Sequence, residues 1–262
     1  SYRRPNAFLP VHVDFDGDGL ADVPIQNFTT GARSLLLLSG VNLKGVIPLP
    51  IVGTAWRICA TADMNGDTKP DVVWQNDHTG ESSIWLMNGT SYEGNAVSLP
   101  TVPASWRIAA VADMNGDKRP DLIWQNVTTG QRSIWFMHGP SYTGSGADLA
   151  AVPPEWIIVG AGDLSGDSKP DLLFRNTHTG ELSAWVMNGP EFSYAVSIAT
   201  VSTDWHVAQL AEFTGDGKLD ILWQHRTSGA LSIWAMNYLY YTSLAYSLPT
   251  LDASEYAGPA PR

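Results

Sequence analysis

Three observations on the sequence predict an all-β chain folded as a five-bladed β-propeller with four antiparallel strands per blade. Marker residues recur at a fixed step: Trp56, Trp106, Trp156 and Trp205 lie 50, 50 and 49 residues apart. Each unit contains short runs rich in Val, Ile and Trp, punctuated by Gly, Asp, Asn and Pro. A carboxylate-rich loop opens at the same place in every unit, at Asp14, Asp63, Asp113, Asp163 and Glu212.

Within one unit, "WRIAAVA", "DLIWQN" and "RSIWFM" read as three strands, and a weaker run before "LPT" supplies the fourth. The runs are too short and too often interrupted for helices. The first run is built from small residues ("ICATA", "IAAVA", "IVGAG"), which suits the innermost strand, where blades converge on a narrow axis. The expected units are 8–55, 56–105, 106–155, 156–204 and 205–256 of a single domain spanning 1–262. The two termini are expected to close the ring: "FLPVHV" aligns with a first strand, and Tyr256 falls near the repeat Trp position. Sharing one blade between the termini removes an exposed sheet edge.

Composition narrows the function classes. The formal charge of −11 argues against a nucleic-acid partner, because phosphate binding needs basic patches. No unbroken apolar run is long enough to span a membrane. The chain starts "SYRRPNAFLP", without Met or the apolar run of a signal peptide, as expected of a mature or trimmed product. Cys59 is the only cysteine, so neither an internal disulfide nor a thiolate metal cluster is expected, and its apolar neighbours make it a packing residue. The negative charge is local. Sixteen of the 26 acidic residues sit in the five loops, and without them the charge would change from −11 to +5.

The loops carry a coordination pattern. In "DMNGDTKPD", Asp63, Asn65 and Asp67 hold positions 1, 3 and 5, the main-chain carbonyl of Lys69 holds 7, and Asp71 holds 9. This is the oxygen spacing of a calcium loop, with Gly66 permitting the turn. The loop lies between two strands, and Trp74 stands where an EF-hand places its Glu, which excludes an EF-hand. The other candidate sets are Asp14, Asp16, Asp18 and Asp22; Asp113, Asn115, Asp117, Arg119 (main chain) and Asp121; Asp163, Ser165, Asp167, Lys169 (main chain) and Asp171; and Glu212, Thr214, Asp216 and Asp220. The first is the most acidic, and the last, which opens on the longer Glu, is expected to be the weakest. Clustered carboxylates repel unless a cation neutralises them, and a hard ion of flexible geometry such as Ca²⁺ suits them better than Mg²⁺. Up to five Ca²⁺ ions between the inner strands would bring the charge to about −1 and pin each turn. Asp and Asn turns that satisfy only their own backbone are the alternative.

The pattern D-x-[DN]-G-D-x-x-x-D between strands, repeated along nearly the whole chain, resembles the FG-GAP or VCBS repeats of integrin α-subunit propellers and of many secreted bacterial proteins. The resemblance implies a propeller with Ca²⁺ in the loops, extracellular or on the cell surface, and used for binding. The integrin-like members have seven blades, whereas this chain has five units.

A second motif recurs in units two to five. Candidate ligand-binding residues are Trp74, Gln75, Asn76 and Trp85; Trp124, Gln125, Asn126 and Trp135; Arg175, Asn176 and Trp185; and Trp223, Gln224 and Trp234, with Phe174 and His225 at the matching positions. Flat aromatics beside amides suit sugars, because rings stack on C–H faces and amides bond hydroxyls. The alternative is that the tryptophans fill the wedges between blades and the amides bond strand ends. Unit one, "IQNFTTGARSLLLLSG", keeps Gln26 and Asn27 but has no Trp. Met87, Met137, Met187 and Met236 recur once per unit as expected core residues. His78 and His178 occupy matching turns without a catalytic partner, and no other nucleophile–base set or cofactor motif occurs, so the chain is not expected to be an enzyme. The expected function is a calcium-stabilised extracellular binding module whose partners are glycans. The alternatives are a protein-binding scaffold or accessory propeller, and a polysaccharide-active enzyme.

Overall fold

The computed structural model describes residues 13–259, all of it strands, turns and connecting segments. The "FLPVHV" run that was expected to form a strand lies, up to His12, outside the described residues. Blade one contains β1 (Val23–Asn27), β2 (Arg33–Ser39) and β3 (Asn42–Leu49). Blade two is β4 (Trp56–Ala62), β5 (Asp71–Asn76), β6 (Ser82–Asn88) and β7 (Ser91–Ser98). Blade three is β8 (Trp106–Ala112), β9 (Asp121–Asn126), β10 (Arg132–His138) and β11 (Ser141–Leu149). Blade four is β12 (Trp156–Gly162), β13 (Asp171–Asn176), β14 (Glu181–Asn188) and β15 (Glu191–Thr200). Blade five is β16 (Trp205–Ala211), β17 (Asp220–His225), β18 (Leu231–Asn237) and β19 (Tyr240–Leu248). A last strand, β20 (Glu255–Ala257), joins blade one as its inner strand, so the order there is β20-β1-β2-β3. Five antiparallel four-stranded sheets result, a five-bladed propeller.

Burial follows strand order. The second strands β5, β9 and β13 are buried at every residue, because both faces meet a neighbouring blade. The fourth strands are largely exposed and rich in Ser, Thr and Gly, as suits an outer edge. The first strands β4, β8, β12 and β16 pack against one another around the axis. That approach demands small residues: a Cβ on Gly160 would lie 2.8 Å from Leu210 Cβ. Cys59 and the four repeated methionines lie in the core.

Blades are stitched together by buried amides. Gln26 Oε1 accepts from Ile58 N at 2.7 Å, and its Nε2 donates to Gly258 O at 2.9 Å. Gln75 repeats the stitch toward blade three, accepting from Ile108 N and donating to Trp106 O. Gln125 accepts from Ile158 N. Gln224 closes the ring, accepting from Ala257 N and donating to Glu255 O. The turn between second and third strands fixes the next linker: Gly80 has φ +75°, and a Cβ there would lie 1.9 Å from Val102 O.

Gln224→Ala would leave the Ala257 N–H and Glu255 carbonyl without their partner at the ring seam. We expect a loss of about 2 kcal/mol or more in urea unfolding, with faster amide exchange at Ala257 than at Ile108. Unchanged exchange at Ala257 would contradict this account of closure.

Candidate functional site

Acidic loops two to five each join a first strand to a second strand, and the first loop leads into β1, the second strand of blade one, so all five lie at one end of the blades. The opening aspartate organises its loop. Asp63 Oδ1 accepts from Gly66 N at 2.7 Å and Asp67 N at 3.1 Å, and Oδ2 accepts from Thr68 N at 2.8 Å. Asp14, Asp113 and Asp163 repeat this grip. It holds Thr68, Lys118 and Ser168 at φ between 68° and 73°, a left-handed conformation that costs non-glycine residues about 1 kcal/mol. Loops one and five place Gly19 and Gly217 there. Position 5 caps the next turn, as when Asp67 Oδ1 accepts from Lys69 N. Glu212 grips less, accepting from Gly215 N.

Position 9 behaves differently. Asp22, Asp71, Asp121, Asp171 and Asp220 are fully buried. Asp71 Oδ2 accepts from Met64 N and Oδ1 from Met87 N, each at 2.9 Å. The ladder between β5 and β6 ends at Val72↔Trp85, and the carboxylate takes over the amide beyond it. The same pair of bonds recurs in every blade, with Leu38, Met137, Met187 and Met236 as the third-strand donors. Burial, with smaller contributions from neighbouring loop carboxylates, pushes Asp22, Asp71 and Asp121 up to about 6. Asp171 and Asp220 are raised for the same first cause.

The first loop brings Asp14, Asp16 and Asp18 oxygens within 4.8 Å of one another, the one such carboxylate group among the described residues. All its side-chain donors are hard oxygens, which fits a divalent cation such as Ca²⁺. Lys44 of β3 also reaches it, with Nζ 2.6 Å from Asp16 and 3.2 Å from Asp18. At position 7, Lys169 reaches Asn188 at 2.6 Å and Lys69 reaches Asn88, while Lys218 bonds Asn237 at 2.8 Å and lies 3.6 Å from Asp216 of its own loop. Arg119 contacts His138.

The aromatic-amide motif divides by depth. Trp74, Trp124, Phe174 and Trp223 are 1% exposed, inside the blade junctions. Gln75, Gln125 and Gln224 carry the stitches described above. Asn76, Asn126 and Asn176 each accept two backbone amides of their own turns. Arg175 donates to Gly180, Val201, Ser202 and Trp205 carbonyls and lies over the Trp223 ring at 5.1 Å. Trp85, Trp135, Trp185 and Trp234 are partly exposed. Trp85, Trp135 and Trp234 stack on Tyr92, Tyr142 and Tyr241.

On blade two, Trp56, Trp74 and Trp85 line a cleft of about 390 Å³ with Ser83, Ser98 and Glu81. Among the described residues, the buried Trp74 indole N–H has no hydrogen-bond partner there, nor do those of Trp124 and Trp223 in their junctions. The fixed step marked Trp56 in the sequence as a repeat residue. Its place in the cleft, and those of the two serines and Glu81, required the packing of β6 against β7.

The raised aspartates set a pH dependence. Their folded values lie above the ordinary carboxyl value of 3.8, so the folded state holds extra protons between about 4 and 6. In chelator, stability should be greatest below this window, fall as pH rises through it, and level off above. Urea midpoints measured from pH 4 to 7 test this, and a midpoint that rises through the window would refute it.

Comparison with known proteins agrees with this geometry. The FG-GAP-like repeat family matches residues 63–124 and 163–223, each match opening on the first aspartate of an acidic loop. No curated protein matches the chain. Among solved structures, one in the nidogen/laminin complex has a TM-score of 0.51 at 9% identity, with 90% of this chain covering 96% of that one. A chain of the Photorhabdus luminescens Tc holotoxin pore has a TM-score of 0.48 at 16% identity, with 99% of this chain aligned. The present chain spans 12% of that toxin chain's length. A putative 6-phosphogluconolactonase from Bacteroides uniformis has a TM-score of 0.45 at 15% identity, covering 99% of this chain and 74% of that one. At these identities the nidogen/laminin likeness speaks for the fold alone. The chain is a five-bladed β-propeller that carries FG-GAP-like repeats.

Proposed function

We propose that the protein is a calcium-stabilised extracellular binding module whose aromatic clefts take sugar residues. The observation that carries this reading is the blade-two cleft, where the partly exposed Trp56 and Trp85 meet hydroxyl groups over the buried Trp74, whose indole N–H has no partner among the described residues. Apolar ring faces beside hydrogen-bonding groups match a pyranose, which has C–H faces and a rim of hydroxyls. The repeat places Trp106, Trp124 and Trp135, and Trp205, Trp223 and Trp234, at the corresponding positions of blades three and five. Weak sites repeated around a ring gain avidity on a multivalent glycan surface.

Calcium enters as the neutraliser of the loop charge. Its site would draw on the side chains of positions 1, 3 and 5, which converge on the loop interior, while position 9 supports the floor. The millimolar Ca²⁺ of the extracellular space suits loops of modest affinity. A cation held only by the folded state adds roughly 2.7 kcal/mol per site at a hundred times its Kd.

Two experiments test these readings. A glycan array in millimolar Ca²⁺, repeated after chelation, should show selective binding that Trp85→Ala weakens by about tenfold. Silence from a folded protein would sink the sugar reading and favour a protein partner, for which Phe192, Tyr194 and Tyr240 are exposed on the outer strands of blades four and five. For calcium, titration calorimetry should report binding with a matching rise in unfolding temperature. Lys44→Ala should tighten binding at the first loop, since its ammonium occupies the carboxylates a cation would need. Unchanged first-loop affinity in that variant would overturn the competition.

A further inference from the structure

The end of the propeller opposite the acidic loops holds a group of cations whose arrangement differs from junction to junction. Between blades two and three, Asp77 supplies a carboxylate: its Oδ1 lies 3.4 Å from Arg57 Nε and 3.6 Å from Arg107 Nε. Between blades four and five the same repeat positions carry Thr177 in place of Asp77, Ile157 in place of Arg57, and His206 in place of Arg107. Two arginines join them, Arg175 from the second strand of blade four and Arg226 just after the second strand of blade five. These side chains surround a cavity of about 20 Å³, floored by Val159 and Val207. That is room for one water-sized group, such as a single carboxylate oxygen, with the rest of a ligand at the mouth.

The cavity is electrostatically incomplete. His206 is 3% exposed, and neither ring nitrogen has a hydrogen-bond partner among the described residues. Leaving such a polar group buried and unbonded costs about 1–3 kcal/mol. Burial first, then the charges of Arg226 and Arg175, hold His206 down to about 4, so it is a neutral imidazole with one N–H to give at pH 7. Arg175, itself pushed down to about 10 by burial with Arg226 adding to it, commits its terminal nitrogens to carbonyl oxygens and contributes mainly its charge. Arg226 is exposed, its Nε donates to Thr203 O, and it lines the cavity. The charges acting on the imidazole are thus both positive.

We propose that the junction of blades four and five binds a carboxylate from outside the chain, as a small organic acid or the carboxylate of an acidic sugar, in the place Asp77 fills between blades two and three. The chain itself shows which chemistry fits, since an internal carboxylate meets two cationic side chains at the equivalent junction. Arg226 and the His206 N–H supply the hydrogen bonds, Arg175 the field, and the Thr177 and Thr203 hydroxyls line the entry. This site is separate from the aromatic cleft of blade two, and its failure would leave the sugar reading untouched.

Titration of the intact protein with acetate, glucuronate, glucose and chloride, followed through the His206 ring signals by NMR, tests the assignment. Acetate and glucuronate should move those signals saturably, while glucose should not. Glucuronate binding more tightly than acetate identifies an acidic sugar, and equal affinities identify the carboxylate alone. Arg226→Ala, at an exposed position, should weaken acetate binding roughly tenfold or more. Thr177→Asp should abolish it by restoring an internal carboxylate, and should raise the unfolding temperature. An equal response to chloride, or acetate affinity unchanged in both variants, overturns the proposal.

Discussion

The structure depends on the buried aspartate that ends each acidic loop. One carboxylate receives a backbone amide from the loop and another from the third strand, across the second strand that carries it. Both oxygens are used at ordinary hydrogen-bond distances, so two charge-assisted bonds offset part of the desolvation that raises the carboxyl to about 6. The loop is thereby anchored to the blade, and the third strand can leave the ladder without an orphaned amide. Remove that carboxylate and the loop loses its floor, and the carboxylates at positions 1 and 5 lose the geometry that brings them together. The acidity of the loop and the stability of the blade are therefore one problem, because the group that fixes the fold sits beneath groups that repel it.

The topology separates two chemistries. Loops between first and second strands concentrate acid at one end of the ring. Arg57 and Arg107 at the start of first strands, Arg175 near the end of a second strand, and Arg33 and Arg132 at the start of third strands all fall at the other end. Most of these arginines reach main-chain carbonyls across a blade junction, as Arg33 does to Trp56 O at 2.6 Å. Guanidinium groups suit this task because their forked donors satisfy several carbonyls at once while the plane covers an aromatic ring, as with Arg132 over Phe174 at 5.1 Å. Cations thus close the junctions at one end, while at the other Lys44 pairs with Asp16 and Asp18 of the first loop.

Much of this was legible in the sequence, and the rest was hidden for identifiable reasons. The step from Trp56 to Trp205 and the two-sided burial of runs such as "DLIWQN" specify the blades, since both are local properties of the chain. Spacing also marks every loop oxygen, but it treats Asp63 and Asp71 alike. Only the fold shows that Asp63 faces the loop interior while Asp71 points into the blade to meet Met87. Gln75 was ambiguous for the same reason: an amide beside a tryptophan looks the same whether it meets a sugar or the next blade, and its partners Ile108 and Trp106 lie some 30 residues away in sequence. Gln224 shows the limit most clearly, because its meeting with Glu255 and Ala257 across the ring seam depends on the closure of all five blades.

A repeat protein informs most where it departs from its repeat. Positions that stay constant serve packing that every blade shares: the aspartate clasp and the glycine of the turn. Change at a buried polar position needs another cause, because an unsatisfied group inside a junction is destabilising and one repeat already offers a satisfied solution. Blade two solves its junction with Arg57, Asp77 and Arg107. Blades four and five keep the cationic character through Arg175 and Arg226, place His206 where it finds no partner, and substitute Thr177 for the acid. Both arginines of the blade-two junction are replaced along with the carboxylate, by Ile157 and His206, while Arg175 and Arg226 enter from other repeat positions. Two arginines at new positions and a buried imidazole without an internal acid are the pattern of a junction whose missing negative charge comes from a ligand.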